Sequence, residues 1–138
     1  MKRAVEKRGL AGSVFIDDSF TPMENVYNYI YASDICMNLR KPVYGSTSQT
    51  LMEILSAGRA CAVTDLETFS EFPDQIVKKV SSGDGEVDDI LQTLRWARDN
   101  PDEREKMGFK ARKYIESGCL WKQVGKKYNE YLTNVFEA

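Results

Sequence analysis

Ile35-Cys-Met-Asn-Leu39, Thr47-Ser-Gln-Thr-Leu-Met-Glu-Ile-Leu-Ser-Ala57 and Ala60-Cys-Ala-Val-Thr64 stand close together in the chain. The two outer runs are short, apolar and bounded by turn formers, as strands covered on both faces are. The middle run sets Leu51, Ile54 and Leu55 on one side of a helix and meets Gly58, a favoured residue just past a helix end. Strand, helix, strand is the unit of parallel sheets, because two parallel strands need a crossover between them.

Working outward, Ser13-Val-Phe-Ile-Asp17 has the same character and predicts another buried strand, and Ile76-Val-Lys-Lys-Val80 a further one. Met1 to Arg8 reads as the tail of a helix stopped by Gly9. Thr21-Pro22-Met23-Glu24 predicts a helix start, with Thr21 as cap, Pro22 in the first helical position and Glu24 completing a capping box. Val26, Tyr27, Ile30 and Tyr31 form the apolar face of that helix, which ends near Ser33. Beyond Gly83-Asp-Gly85 the pattern is helical throughout. Val87, Ile90, Leu91 and Leu94 form one face, Met107, Ala111, Tyr114 and Ile115 a second, and Trp121, Val124, Tyr128, Leu132 and Val135 a third. Asn100-Pro101-Asp102-Glu103 supplies a cap, a Pro and a capping box between the first two. The expectation is a single α/β domain over residues 1–138. Strands and helices occupy 9–82, with a mainly parallel sheet of about four strands, and closing helices over 86–136 form a C-terminal helical tail.

Composition narrows the chemistry. The chain has 138 residues, 19 Lys+Arg against 21 Asp+Glu, a net charge of −2, and no histidine. That balance argues against a general nucleic-acid binder. Without histidine there is no Ser-His-Asp or Cys-His catalysis, and the commonest zinc sites are excluded. Cys36, Cys61 and Cys119 lack CxxC spacing and read as small apolar residues of a reducing compartment. No apolar run approaches the roughly 20 residues of a membrane span, and MKRAVEKRGL has no apolar core for a signal peptide. The expected location is the cytoplasm.

Ligands of open parallel sheets bind beyond the carboxyl ends of the strands. The loop after Leu39 leads there into Gly45-Ser46-Thr47-Ser48 at a helix start, with Arg40 and Lys41 beside it. Small residues, free N–H groups and the helix dipole suit a phosphate; an ordinary N-cap explains the same residues. Glu53, farther along the helix, could accept both hydroxyls of a ribose, or be a surface glutamate. Asp65 and Glu71 follow the next strand on the same rim, as ligand contacts or as loop acids. Asp17 and Asp18 invite a metal reading that no third ligand supports. The charges of Arg104 to Lys113 and of Lys126-Lys127 read as solvated helix faces, and Trp96 and Trp121 as packing residues.

Taken in order, Ser33 to Ser48, Leu51 to Arg59, Val63-Thr-Asp65 and Phe69-Ser-Glu71-Phe-Pro-Asp74 resemble the C-terminal, donor-binding domain of GT-B glycosyltransferases of the group 1, or family 4, type. The resemblance runs from about Gly9 to Val135, and the NP-DER-MG-AR-Y pattern of the closing helices shares it. It implies a Rossmann-like fold and a nucleotide-diphosphate sugar as donor in hexosyl transfer to an acceptor, without metal or other cofactor. By similarity, Gly45, Ser46, Thr47 and Ser48 approach the diphosphate or sugar with Arg40 nearby, Glu53 binds the ribose, and Asp65 and Glu71 lie in loops over the donor. No catalytic residue is assigned.

The departures are specific. Ser46 stands where relatives carry the Glu of GETSG, Gln49 replaces the following Gly, Ala60 replaces Pro, and Glu53 stands where near relatives often have Arg. They bear on the sugar contact more than on phosphate and ribose. The resemblance further implies an acceptor domain and two more strands preceding the present residues, so the chain is expected to be a partial domain with little or no transfer activity alone. Ser13–Asp17 should then pair directly with Ile35–Leu39 or with another chain. A homodimer through the sheet edge, and a non-catalytic remnant or assembly module using that edge, are the alternative expectations. Neither nucleic acid nor a membrane is expected as partner of this domain.

Overall fold

The structure, a computed structural model, describes residues 1–41 and 48–136. Its elements are α1 (Lys2–Lys7), α2 (Met23–Ala32), β1 (Cys36–Asn38), α3 (Gln49–Ser56), β2 (Cys61–Thr64), β3 (Lys78–Val80), α4 (Glu86–Asp99), α5 (Pro101–Gly118) and α6 (Trp121–Phe136), with a 3-10 turn at Glu67–Phe69. The three strands form one parallel sheet in the order β1-β2-β3. Cys36 pairs with Cys61 and Asn38 with Val63 on one side; Ala62 pairs with Lys78 and Thr64 with Val80 on the other. β2, the central strand, is buried along its whole length. A mixed α/β architecture with a helical C-terminal tail is therefore present.

α3 shows how local sequence sets the packing. Ser48 caps it, accepting the Leu51 N–H at 3.3 Å, and Leu51, Ile54 and Leu55 are all buried against the sheet and α5. At its far end the Gly58 N–H donates to the Leu55 carbonyl and the Arg59 N–H to that of Ile54, with Gly58 at φ +71. These two bonds make a Schellman closure, which favours glycine at that position. The closure also admits α5. A Cβ on Gly108 would lie 2.0 Å from the Gly58 carbonyl oxygen, so both helices come together through glycine backbone. α5 then buries Met107, Gly108, Ala111 and Ile115, at helical spacing. At the amino end of the sheet, Arg104 fixes the same helix, donating to the Ala97 carbonyl and pairing with Asp34 at 2.7 Å.

Four expectations are corrected. Ser13–Asp17 forms no strand. Residues 14–16 instead lie against α1, Lys2 pairs with Asp18 at 2.9 Å, and Phe15 is 87% exposed. A β-rich run becomes a strand only when a neighbour takes its N–H and C=O groups, and β1 has no partner on its outer side among the described residues. The sheet accordingly has three described strands, not about four. Thr21 does not cap α2: Pro22 holds the N-cap position with no side-chain cap bond. Asn100 is the N-cap of α5 with Pro101 at the first turn, as the sequence implies, but its side chain donates to the Trp96 carbonyl instead of capping.

α4 turns a different face inward than its apolar stripe suggests. Thr93 and Ala97 are buried, while Val87 is 74% exposed and Leu91 and Leu94 stay in solvent. The buried face lies about a quarter turn away from the apolar stripe at 3.6 residues per turn. Two contacts set that rotation: Asp89 accepts both the N–H and hydroxyl of Ser81, and the Trp96 ring lies 4.0 Å from the Lys78 ammonium. Among the described residues, no helix is long and apolar enough to cross a membrane.

Candidate functional site

The carboxyl ends of β1, β2 and β3, at Asn38, Thr64 and Val80, form one rim, and buried polar side chains organise it. Asn38, at the end of β1, is buried and donates from Nδ2 to Ser48 Oγ at 3.1 Å. Ser48 therefore serves the strand end and the helix cap together. Thr64, fully buried at the end of β2, accepts the Arg40 N–H at 3.0 Å. Lys41 pairs across the rim with Glu86, in the first turn of α4, at 2.7 Å. Both described ends of the β1–α3 connection are thus pinned, at Arg40 and Lys41 on entry and at Ser48 on exit.

Of the residues singled out in the sequence, Arg40, Ser48 and Asp65 share this rim. Arg40 and Asp65 are exposed, and the Asp65 N–H donates to the Val80 carbonyl at 2.8 Å. Ser48 is buried, and its hydroxyl is engaged by Asn38 and Leu51, so it positions the rim from below. Gly45, Ser46 and Thr47 lie outside the described residues. Glu53 is half-buried on α3, on the side opposite Leu51, Ile54 and Leu55, and accepts the Gln49 amide at 2.9 Å. At about 1.5 Å per residue it stands roughly 7 Å along the helix from Ser48. Gln49 is thus the residue that orients Glu53.

Glu71 is placed elsewhere. With Met52, Thr68, Phe72, Tyr114 and Cys119 it lines a cavity of about 240 Å³ between α3, the segment after β2 and α5. Phe72 and Tyr114 meet there with ring centroids 6.1 Å apart, and Thr68 Oγ1 is buried without a partner among the described residues.

The acids near the N-terminus have local duties. Asp17 accepts the Ser19 N–H and hydroxyl, and those bonds hold its carboxyl below the usual range. Burial raises the Cys36 thiol and raises that of Cys61 further, which keeps both protonated at neutral pH and unreactive. Among the described residues, no group of three or more Cys, Asp or Glu side chains is placed to hold a metal ion. Trp96 covers Lys78.

Asn38 and Thr64 are the organising residues that sequence reading missed. Their only signal is a polar residue at the end of an apolar strand run, ahead of a turn-rich loop. The chain matches no protein-family model and no curated protein.

Proposed function

We propose that this chain is the nucleotide-binding part of a Rossmann-like donor domain that takes a nucleotide-diphosphate sugar. The observation that carries the reading is the pinned rim. Thr64 takes the Arg40 amide and Asn38 takes Ser48, so a cationic side chain and a capped helix N-terminus are held on one edge of a parallel sheet. Such an edge suits a diphosphate, through the helix dipole and positive charge. Arg40 contacts the diphosphate, Glu53 takes the ribose hydroxyls, and Asp65 borders the donor. The Gly45-Ser46-Thr47 backbone approaches the phosphates, as the resemblance implies. Glu71 contributes from the neighbouring cavity wall. Glycosyl transfer itself belongs to a cleft completed by an acceptor domain, and no cofactor or metal is invoked.

Calorimetric titration of the chain with uridine, guanosine and adenosine diphosphates tests this. One of them is expected to bind, with Glu53→Ala weakening it roughly tenfold or more through loss of charged hydrogen bonds. No heat with any of the three refutes nucleotide binding, and binding unchanged by Glu53→Ala refutes the ribose assignment. The alternative, a non-catalytic module assembling through its sheet edge, draws on one observation: the outer side of β1 has no strand paired to it among the described residues. A dimer that binds none of the three diphosphates would favour it.

A further inference from the structure

The cavity beside Glu71 differs from the rim in its chemistry, and that chemistry indicates what it takes. Its walls belong to α3, the segment after β2 and α5, so this chain alone defines it. Glu71 and Tyr114 are exposed and stand at its mouth, while Met52, Phe72 and Cys119 are half-buried along its sides. At about 240 Å³ it lies below the roughly 300–1,000 Å³ of sites for drug-sized molecules, so it suits a small ligand.

Its electrostatics are one-sided. Glu71 has no hydrogen bond or ion pair among the described residues. No Lys or Arg lines the cavity. Arg112 and Lys113, next to Tyr114 in the chain, pair with Glu116 at 2.9 and 3.1 Å, and Lys79 pairs with Asp74 at 2.9 Å. The last turn of α5, which reaches the cavity at Cys119, carries no basic residue. The rest of the lining is polarisable: the Phe72 and Tyr114 rings, tilted by 60° to each other, and the Met52 thioether.

Each class of ligand meets these surfaces differently. An anion is repelled by Glu71 and by the negative faces of the rings. A hard metal ion finds one carboxylate where it needs about six oxygen ligands. A wholly apolar molecule strips water from the carboxylate without replacing it. An organic ammonium ion satisfies both surfaces. Its charge meets the carboxylate, and its alkyl groups lie against the rings and the thioether, where cation–π attraction adds to apolar contact.

We propose that this cavity binds a small organic ammonium ion, with Glu71 as counter-ion and Phe72, Tyr114 and Met52 as its apolar seat. Glu71 is the one residue shared with the nucleotide reading, which uses no other residue of the cavity.

The test is titration of the whole chain, labelled at its methionine methyl carbons, with choline and with its uncharged isostere 3,3-dimethylbutan-1-ol. Choline shifts the Met52 methyl resonance saturably and leaves that of Met23, on α2, in place. The neutral alcohol binds about tenfold more weakly, the combined share of a surface ion pair and a ring contact. Glu71→Gln weakens choline binding about fivefold and leaves that of the alcohol unchanged. Tyr114→Leu weakens choline binding by a similar factor. Because Glu71 is exposed, the thermal midpoint of its variant stays at that of the parent, which separates lost binding from lost folding. No nucleotide is present, so the outcome is independent of the diphosphate titration. Three results would overturn the proposal: a Met52 resonance unmoved by choline, equal affinity for the alcohol, or choline binding that Glu71→Gln leaves intact.

Discussion

Helices α3 and α6 both carry clear apolar faces, and the fold treats them in opposite ways. α3 is half as long, yet Leu51, Ile54 and Leu55 are all buried between the sheet and α5. α6 has twice the length and a broader apolar arc, and buries none of it among the described residues. Amphipathicity states that a helix needs a cover; it does not supply one. α3 follows β1 directly and leads into β2, so chain connectivity lays it on the sheet. α6 comes after α5 has already taken the free side of α3, and little of the described sheet remains for it to reach.

The contrast can be broken at its strongest point first. Leu55→Ala leaves a cavity in a fully packed position and is expected to cost about 2–5 kcal/mol, whereas Leu132→Ala, the same change on α6, stays within about 0.5 kcal/mol. Urea unfolding of both variants measures the difference, and comparable losses would mean that α6 is packed after all. Gly108→Ala forces a methyl group against the Gly58 carbonyl and should cost about 3 kcal/mol, the upper end for overpacking. A neutral result in the same assay would show that α5 does not approach α3 through glycine. Ser48→Ala removes the α3 cap and leaves the buried Asn38 amide without its acceptor, for a loss of about 2 kcal/mol. Ser48→Thr, which keeps the acceptor, should recover part of it.

The smallest effect concerns pH. Hydrogen bonds from Ser81 hold the Asp89 carboxyl below its ordinary value. A depressed carboxylate favours the folded state at pH values above the unfolded pKa of about 4, and that contribution drains away as pH falls through the folded value. Ser81→Ala should therefore raise the Asp89 titration midpoint, read by carboxyl-carbon NMR, and flatten the acid limb of the stability curve. An unmoved midpoint would separate Asp89 from Ser81 and remove one of the two contacts that set the rotation of α4.

The same competition for partners explains what could be read in advance. Ile35–Leu39, Ala60–Thr64 and Ile76–Val80 announce their strands through apolar runs, and each is realised with its ends trimmed. Ser13–Asp17 has an equally good run and fails, because a strand is a property of a pair. The inward face of α4 was not legible because Lys78 beneath Trp96 and Ser81 beside Asp89 outweigh an apolar stripe that its neighbours do not cover. At the rim, a cap within the Gly45-Ser46-Thr47-Ser48 cluster was legible from its place before an apolar helix, and the structure assigns it to Ser48. Asn38 and Thr64 were not, since their roles depend on Ser48 and Arg40, ten and twenty-four residues away.

The sequence by itself determined the strand–helix–strand unit from Ile35 to Thr64, the parallel sense of the sheet, and the helix end at Gly58, because these follow from local propensity, crossover length and capping chemistry. Only the tertiary structure decided which apolar surfaces are covered. It buried the faces of α3 and α5, turned α4, and left Phe15 and the whole of α6 in the open. Burial is settled by which surfaces the connected chain can bring into contact, and no single segment carries that information.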